Sequence, residues 1–275
     1  MLMTGSGRKA APFLFSLILL CGFGAGAQPA ELVPGTAMAT GQGSIARAWF
    51  TDPTTRYAHG ALGDSIEAGA LVLQDRAGAS IWIVVPEDRV FEDIAPRLVS
   101  VSALGDAAMV IESDRRLGSR LSFYGLAGGQ GRLLAATPFI GTANRWLAPI
   151  GIGDFDGDGV ANEVALVAMP HLAGLLRAYR IQAGELPLLA EAEGYSNHVY
   201  GRAEIAMAIV DHGRTRDRIL LPDRQRRRLV LMSLSDGRLR EERDEQLSAP
   251  LLRLRQIGLG FEAELEDGSL LAGTL

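Results

Sequence analysis

Short apolar runs, divided by glycine, aspartate and proline, recur along the chain from Ser44 onward. Such runs bounded by turn residues are typical of β-strands, and few windows carry the apolar stripe of an amphipathic helix. The pattern therefore predicts an all-β fold. The predicted strands cover residues 45–50, 70–74, 80–85, 98–103, 107–113, 120–125, 164–169, 175–182, 203–210, 218–221, 229–233, 251–257 and 260–265.

The predicted strands form a repeating unit, which begins with a strand that ends near Gly-Asp or Asp. These anchors are about 42 to 58 residues apart, close to the length of a propeller blade: Gly63-Asp64, Gly105-Asp106, Gly153-Asp154, Asp211 and, more loosely, Gly258. We therefore predict a β-propeller of about five degenerate blades. Closing the ring would require residues 45–50 to complete a sheet begun by 251–275. A β-sandwich or an irregular β domain is the alternative architecture.

Residues 153–159 read Gly-Asp-Phe-Asp-Gly-Asp-Gly, and Asn162 and Glu163 follow shortly after. Carboxylates at alternate positions of a tightly curled loop can converge on one hard cation, and glycines supply the positive φ angles that the curling needs. An EF-hand would need an acid at its twelfth position, where Ala165 stands. We therefore predict a metal-binding loop between two apolar strands.

The GDFDGDG pattern followed by strand residues resembles the FG-GAP and VCBS repeats, the blades of integrin-type β-propellers. The resemblance covers residues 145–191, and the segments 169–172 and 176–180 are similar to small secreted VCBS-repeat proteins of proteobacteria. It implies a propeller with a calcium loop at a blade edge. It implies no enzymatic activity.

The candidate ligands of the loop are all hard oxygen donors, which favours Ca²⁺ over Zn²⁺, and a flexible loop of many oxygens favours it over the smaller Mg²⁺. The resemblance puts an acid at the ninth position of the loop, where Asn162 stands and Glu163 follows, so either could be the last ligand. A solvated acidic turn without metal is the alternative. The candidates are Asp154, Asp156, Asp158, the carbonyl of Val160, Asn162 and Glu163.

The N-terminal residues 1–27 have the features of a signal peptide: basic Arg8 and Lys9, an apolar stretch, and small residues before a cleavage site after Ala27. A membrane anchor is the alternative, but the apolar stretch is short for a span. We therefore expect a periplasmic or secreted protein without membrane insertion after cleavage. Residues 28–43 are predicted to be a flexible lead-in, and 44–275 the propeller.

The formal net charge of −5 argues against a general nucleic-acid or membrane-surface binder. Arginines are dense between Arg214 and Arg228, but aspartates interleave with them, so a solvated hairpin with local ion pairs is the main interpretation. An acidic protein or polysaccharide partner is the alternative. The lack of interleaved aromatic residues disfavours nucleic acid.

None of the four histidines lies in a zinc-binding spacing, and turn or packing roles are favoured for each of them: His59, His171, His198 and His212. Segment 197–201 has a mix of polar and aromatic residues that suits a binding surface. Burial between sheets is the default expectation for the three tryptophans, Trp49, Trp82 and Trp146. A platform that stacks on a sugar is the alternative, and it would require an exposed ring.

The sequence predicts an exported, calcium-binding, monomeric binding module whose ligand is an unknown protein or polysaccharide. The alternative function is an extracytoplasmic polysaccharide-active enzyme, a lyase or hydrolase, on the same scaffold. It would require a carboxylate pair or a His-acid pair at the central channel. A scaffolding role in an envelope complex is a third possibility, since fold alone does not fix function.

Overall fold

The computed structural model describes residues 31–213 and 215–274. Within these ranges the chain consists of strands, turns and irregular segments and has no helix, which confirms the all-β prediction. Consequently, the described part contains no helix that is long and apolar enough to cross a membrane. The predicted signal peptide lies outside the described residues.

The first sheet contains ten strands in the order β1-β2-β3-β5-β7-β8-β9-β13, with β4 beside β3 and β6 beside β7. Strand β13 runs parallel to β9, and the other pairs are antiparallel. The strands are β1 (Ala39–Thr40), β2 (Ile45–Thr54), β3 (Glu67–Asp75), β4 (Ser80–Val84), β5 (Arg89–Phe91), β6 (Arg97–Val101), β7 (Gly105–Asp114), β8 (Gly118–Ala127), β9 (Gln130–Ala136) and β13 (Gly184–Glu185).

Three smaller antiparallel sheets follow along the chain. The second sheet contains β10 (Leu147–Gly153), β11 (Glu163–Ala168), β12 (Leu175–Arg180) and β14 (Leu188–Glu193). The third contains β15 (Ile209–Asp211), β16 (Arg218–Pro222), β17 (Arg228–Ser235) and β18 (Arg238–Gln246). The fourth contains β19 (Leu251–Ile257), β20 (Gly260–Leu265) and β21 (Leu270–Thr274).

Strand β11 is buried along its whole length because a neighbouring sheet covers each of its faces. Val164 and Leu166 pack with side chains of β7 and β8 from the first sheet. The alternate residues, Ala165 and Val167, pack with side chains of β16 and β17 from the third sheet. Since successive side chains of a strand point to opposite faces, an unbroken apolar run is what a doubly covered strand requires.

The third sheet repeats this arrangement toward the C-terminal end of the described chain. Its residues Leu220 and Leu231 pack with Leu254 and Phe261 of the fourth sheet, on the face away from β11. The smaller sheets therefore pack face to face in series, each burying its apolar residues against the next. Burial of each large aliphatic side chain contributes about 1.5–3 kcal/mol.

The predicted joining of both chain ends in one sheet is wrong for the described residues. Strand β2 pairs with β1 and β3, and the fourth sheet contains only β19, β20 and β21. The physical reason is that residues of the predicted lead-in take the edge of β2 that ring closure would need. Val33 of this segment is buried, and its N–H donates to the carbonyl of Phe50 at 3.1 Å.

Most predicted strands are confirmed within a few residues, but the strand predicted at 203–210 is wrong over most of its length. Only 209–211 forms a strand there, and the carbonyl of Ala206 instead accepts a hydrogen bond from Leu254 N at 2.7 Å. Several edge strands escaped prediction. The clearest is β18, whose residues are almost all charged or polar and exposed.

Candidate functional site

The acidic loop, residues 154–162, connects β10 to β11 and closes a hairpin in which Gly153 pairs with Glu163. The predicted position between two strands is therefore confirmed. Gly157 and Gly159 have φ angles of 78° and 87°, as the predicted curling requires. The left-handed conformation at these two positions turns the loop back on itself.

The carboxylates of the loop accept hydrogen bonds from its own backbone. Asp154 Oδ1 accepts from Gly157 N at 2.9 Å, and its Oδ2 accepts from Gly159 N at 3.0 Å. Asp158 Oδ1 accepts from Val160 N at 2.8 Å. These bonds between side chain and backbone hold the curled shape, which is the usual role of aspartate in turns.

Three carboxylates of the loop region converge. Oxygens of Asp154, Asp156 and Glu163 lie within 4.8 Å of one another. Glu163 is fully buried, and its Oε2 accepts from Phe155 N at 2.9 Å. Asp158 lies outside this group.

The other two predicted ligands lie at the rim of the loop. Asn162 Oδ1 is buried without a hydrogen-bond partner among the described residues, while the carbonyl of Asn162 accepts from Ile181 N at 2.7 Å. Val160 has an exposed side chain, and its N–H is used by Asp158. The side-chain oxygen of Asn162 is thus available to a ligand.

Arg180 is the residue of this site that the motif does not contain. It lies directly across from Glu163 in the pairing of β11 with β12. Its guanidinium forms an ion pair with Asp156, and its Nε lies 2.9 Å from Glu163 Oε1. Cross-strand spacing from the loop is the signal that could have found it, because facing residues of paired strands are neighbours.

Glu163 and Arg180 are close enough for an ion pair, but neither Glu163 Oε1 nor Arg180 Nε makes a hydrogen bond within the described chain. Burial, followed by the charge of Asp156, raises the pKa of Glu163 to about 7, although Arg180 opposes this shift. A buried oxygen without a hydrogen bond, beside two further carboxylates, fits a hard cation. Asp154, Asp156 and Glu163 could hold one.

The loop is also fixed to the third sheet. Asp217 Oδ2 accepts from Asp154 N at 2.9 Å, and Asp217 N donates to the carbonyl of Asp154 at 2.8 Å. The acidic loop therefore lies at the junction of two sheets, where its conformation can affect their packing.

A second candidate site is a cavity of about 360 Å³ whose lining comes from separate loops. We call it the histidine cavity. It is lined by His59, Asn144, Arg145, Trp146, Met169, Pro170, His171, Leu172 and Tyr200.

His59 is held in the cavity wall by a buried acid. Its Nδ1 lies 2.6 Å from Oε1 of Glu92, which is fully buried and whose other carboxylate oxygen accepts from Ser113 Oγ. The backbone carbonyl of Glu92 accepts from Trp146 Nε1 at 3.0 Å. Because Nδ1 of His59 is occupied by Glu92, Nε2 is the ring nitrogen left for a ligand.

The other two histidines of this region form a hydrogen-bonded chain. His198 Nε2 donates to the carbonyl of Arg202 at 2.6 Å, and His171 Nε2 lies 2.8 Å from His198 Nδ1. Burial lowers the pKa of each to about 4, so both rings are neutral at neutral pH. The tautomers follow: His198 Nδ1 accepts from His171 Nε2, which leaves Nδ1 of His171 as an acceptor.

Trp146 is buried against these rings, with its plane parallel to His171 within 6° at a centroid distance of 6.2 Å. Trp49 is buried as predicted, but Trp82 is 48% exposed on β4, which corrects the expectation for that residue. His171 and His198 pack against Trp146, in line with the turn or packing role predicted for them. Sequence reasoning did not foresee that His171 would line one cavity with His59, with His198 hydrogen-bonded to His171.

The arginine-rich segment makes local ion pairs, as its main interpretation predicts. Arg218 Nη2 lies 2.5 Å from Asp211 Oδ2, and Arg228 Nη1 lies 2.7 Å from Glu241 Oε2. These arginines are therefore already neutralised by neighbouring acids.

No family model and no curated protein matches this chain. Among solved structures, the crystal structure of the Saccharomyces cerevisiae Sqt1 matches with 12% sequence identity and a TM-score of 0.46. The match covers 75% of this chain and 55% of that one, so the chain spans about half the length of that protein. A likeness at this level assigns neither a family nor a function.

Proposed function

We propose that this protein is an exported, calcium-binding β-propeller of about five degenerate blades similar to FG-GAP and VCBS repeats, acting as a binding module. The observation that carries the calcium proposal is the convergence of Asp154, Asp156 and Glu163, whose buried Oε1 contacts Arg180 but makes no hydrogen bond within the described chain. The face-to-face packing of sheets in series supports the propeller proposal.

In the proposed calcium state, Asp154, Asp156 and Glu163 would hold the ion, with Asp158, Asn162 and the carbonyl of Val160 as further candidates. The ion would supply positive charge to carboxylates that otherwise repel one another. Arg180 supplies part of that charge in the structure described here. Calcium and the guanidinium therefore compete for Asp156 and Glu163, and the loop would move Arg180 aside on binding.

Calorimetric titration of the mature protein with calcium, paired with melting curves with and without a chelator, tests the proposal. We expect one ion per chain and a higher Tm with calcium. Asp156→Asn should weaken binding at least about tenfold, since it removes a charged ligand. The matched control is Asp267→Asn, in an exposed turn where the carboxylate also accepts backbone and hydroxyl bonds. Absence of saturable binding, with equal Tm in both buffers, would remove calcium from the proposal.

Export is tested separately. We expect the mature N-terminus to begin after Ala27, in a periplasmic or secreted fraction, as measured by mass spectrometry of the intact protein. A chain that retains residues 1–27 and sediments with membranes would instead support an anchor. The proposed partner is a protein or polysaccharide, and we expect a monomer and no affinity for nucleic acid.

One observation favours the second candidate, an extracytoplasmic polysaccharide-active enzyme. His59 and Glu92 form a His-acid pair beside a cavity, the arrangement by which a carboxylate orients a general base. If this candidate is right, the protein should depolymerise an acidic polysaccharide, and His59→Gln should abolish the activity. Unchanged polymer length after prolonged incubation with the wild type would argue against it.

A further inference from the structure

We infer that the histidine cavity binds an acidic sugar unit, meaning a single sugar ring that carries an anionic group. The inference deepens the proposed binding function by naming a ligand class, and it rests on that function but not on the calcium loop. The observations that carry it are the size of the cavity, an arginine without an ion pair among the described residues, two fixed ring nitrogens and a rigid backbone.

The cavity has the dimensions and walls of a small-ligand site. Its volume of about 360 Å³ lies in the range of ligand pockets in proteins. Tyr200 is 56% exposed and stands nearly perpendicular to His171, at 88°. Its hydroxyl donates to the carbonyl of His59 at 2.8 Å, which holds the ring in place. An exposed aromatic ring fixed in this way suits the apolar face of a sugar.

The lining of the cavity includes one arginine that has no ion pair among the described residues, while the buried acid Glu92 is bonded to His59. Arg145 Nη1 donates to the carbonyl of Asn144, and Arg145 makes no ion pair with any described residue. By contrast, Arg180, Arg218 and Arg228 each face carboxylates. Among the described residues, no aspartate or glutamate lines the cavity. A guanidinium so placed matches the geometry of a carboxylate, sulfate or phosphate group.

Two ring nitrogens offer defined hydrogen-bonding roles to hydroxyl groups. His171 Nδ1 is an acceptor, because its Nε2 donates to His198. His59 presents Nε2, because its Nδ1 is occupied by Glu92. Side chains whose orientation is fixed from behind lose little freedom when a ligand binds, which favours binding.

The backbone beside these side chains is held in an uncommon conformation. Asn144 and Met169 line the cavity with φ angles of 53° and 52°, in the left-handed region. Met169 is neither glycine nor asparagine, so its conformation is strained and must be maintained by its surroundings. Its N–H donates to the carbonyl of Trp146 at 2.8 Å, and its carbonyl accepts from Gly174 N at 3.0 Å. This tight turn positions His171.

The test is titration of the mature protein, observed by NMR and calorimetry, with galacturonate, digalacturonate, galactose 6-sulfate and neutral galactose. We expect at least one acidic sugar to bind at least about tenfold more tightly than galactose. Comparing the uronates with galactose 6-sulfate shows whether the site prefers a carboxylate or a sulfate as the anionic group. If galactose binds as tightly as every acidic sugar, or if no sugar binds, the inference is overturned.

Two substitutions locate the site. Arg145→Gln should weaken binding of the acidic sugar about tenfold or more while leaving galactose binding unchanged. Arg132→Gln is the matched control, because Arg132 is an exposed arginine of β9 outside the cavity lining. Equal losses in both variants would place the sugar elsewhere and overturn the inference. Calcium titration of the same samples separates failure here from failure of the calcium proposal.

Discussion

The acidic loop and the histidine cavity are built in opposite ways. The loop takes its carboxylates from ten consecutive residues, 154–163, and from outside this segment Arg180 and Asp217 contact it. The cavity takes its lining from four separate stretches of chain, around His59, Trp146, His171 and Tyr200. A local motif can specify the first, whereas the second exists only after several loops have been brought together.

This difference also affects stability. The curl of the loop is held by hydrogen bonds between residues two to five positions apart, which are local in sequence. The cavity depends on contacts such as the bond between Tyr200 and His59, which are 141 residues apart. We therefore expect substitutions behind the cavity to affect global unfolding, and substitutions in the loop to act mainly through charge.

The largest effect on stability is expected from Trp146→Ala, which removes the buried side chain behind the histidine cavity. Trp146 is fully buried, stacks on His171 and donates to the carbonyl of Glu92. The substitution should lower the free energy of unfolding by about 3–5 kcal/mol, measured by urea denaturation. Trp82→Ala, on an exposed tryptophan, is the control and should cost less than about 1 kcal/mol. Similar losses in both variants would contradict the central packing role of Trp146.

The next effect sharpens the comparison at the loop. Arg180→Gln removes the cation facing buried Glu163 and should lower the free energy of unfolding by about 1–3 kcal/mol without calcium, since Arg180 is partly exposed. Saturating calcium should restore much of this loss if the ion takes over the role of the guanidinium. The control is Arg177→Gln, on the same strand, whose partner Glu191 is more exposed. If calcium raises the free energy of unfolding of Arg180→Gln no more than that of the wild type, the proposed competition between calcium and Arg180 is wrong.

The strands that could be predicted from the sequence are the buried ones, because their side chains are mostly apolar. β11 reads as an apolar run because both of its faces are covered, and β7 and β17 do so for the same reason. β18 carries charged residues because it is exposed, and its pairing with β17 is determined by the neighbour rather than by its own sequence. Edge strands of this kind leave no apolar signal.

The candidate sites also differ in how much of each could be predicted from the sequence. The spacing of Asp154, Asp156 and Asp158 predicts the loop from the sequence. In the structure, however, Asp158 lies outside the converging carboxylates, and Arg180 forms an ion pair with Asp156. Only the strand pairing reveals that arginine. His59 and Glu92 lie in different loops and carry no shared motif, so their pairing could not be predicted without the fold.

A smaller effect is expected from the buried histidines as the pH falls. Burial lowers the pKa of His171 and His198 in the folded protein to about 4, from the ordinary value near 6.5. The stability that depends on their neutral form is therefore complete above pH 6.5 and is lost as the pH falls from 6.5 toward 4. His198→Gln should therefore lose less stability than the wild type between pH 7 and pH 5, by about 1 kcal/mol. Urea denaturation at both pH values measures the difference. Equal losses of stability in His198→Gln and in the wild type would contradict the assignment.

The smallest effect concerns Glu67, which lies among the acids near the cavity. Burial, followed by the charge of Glu92, raises the pKa of Glu67 well above the ordinary glutamate range. A raised carboxyl pKa stabilises the fold at low pH, and this contribution is lost as the pH rises from the ordinary range toward the raised value. Glu67→Gln keeps a neutral side chain at every pH, so its Tm should fall less than that of the wild type between pH 6 and pH 7, by a few degrees. Glu245→Gln, on exposed β18, should show the wild-type slope, and an unchanged slope in Glu67→Gln would mean that Glu67 is already ionised in the fold at neutral pH.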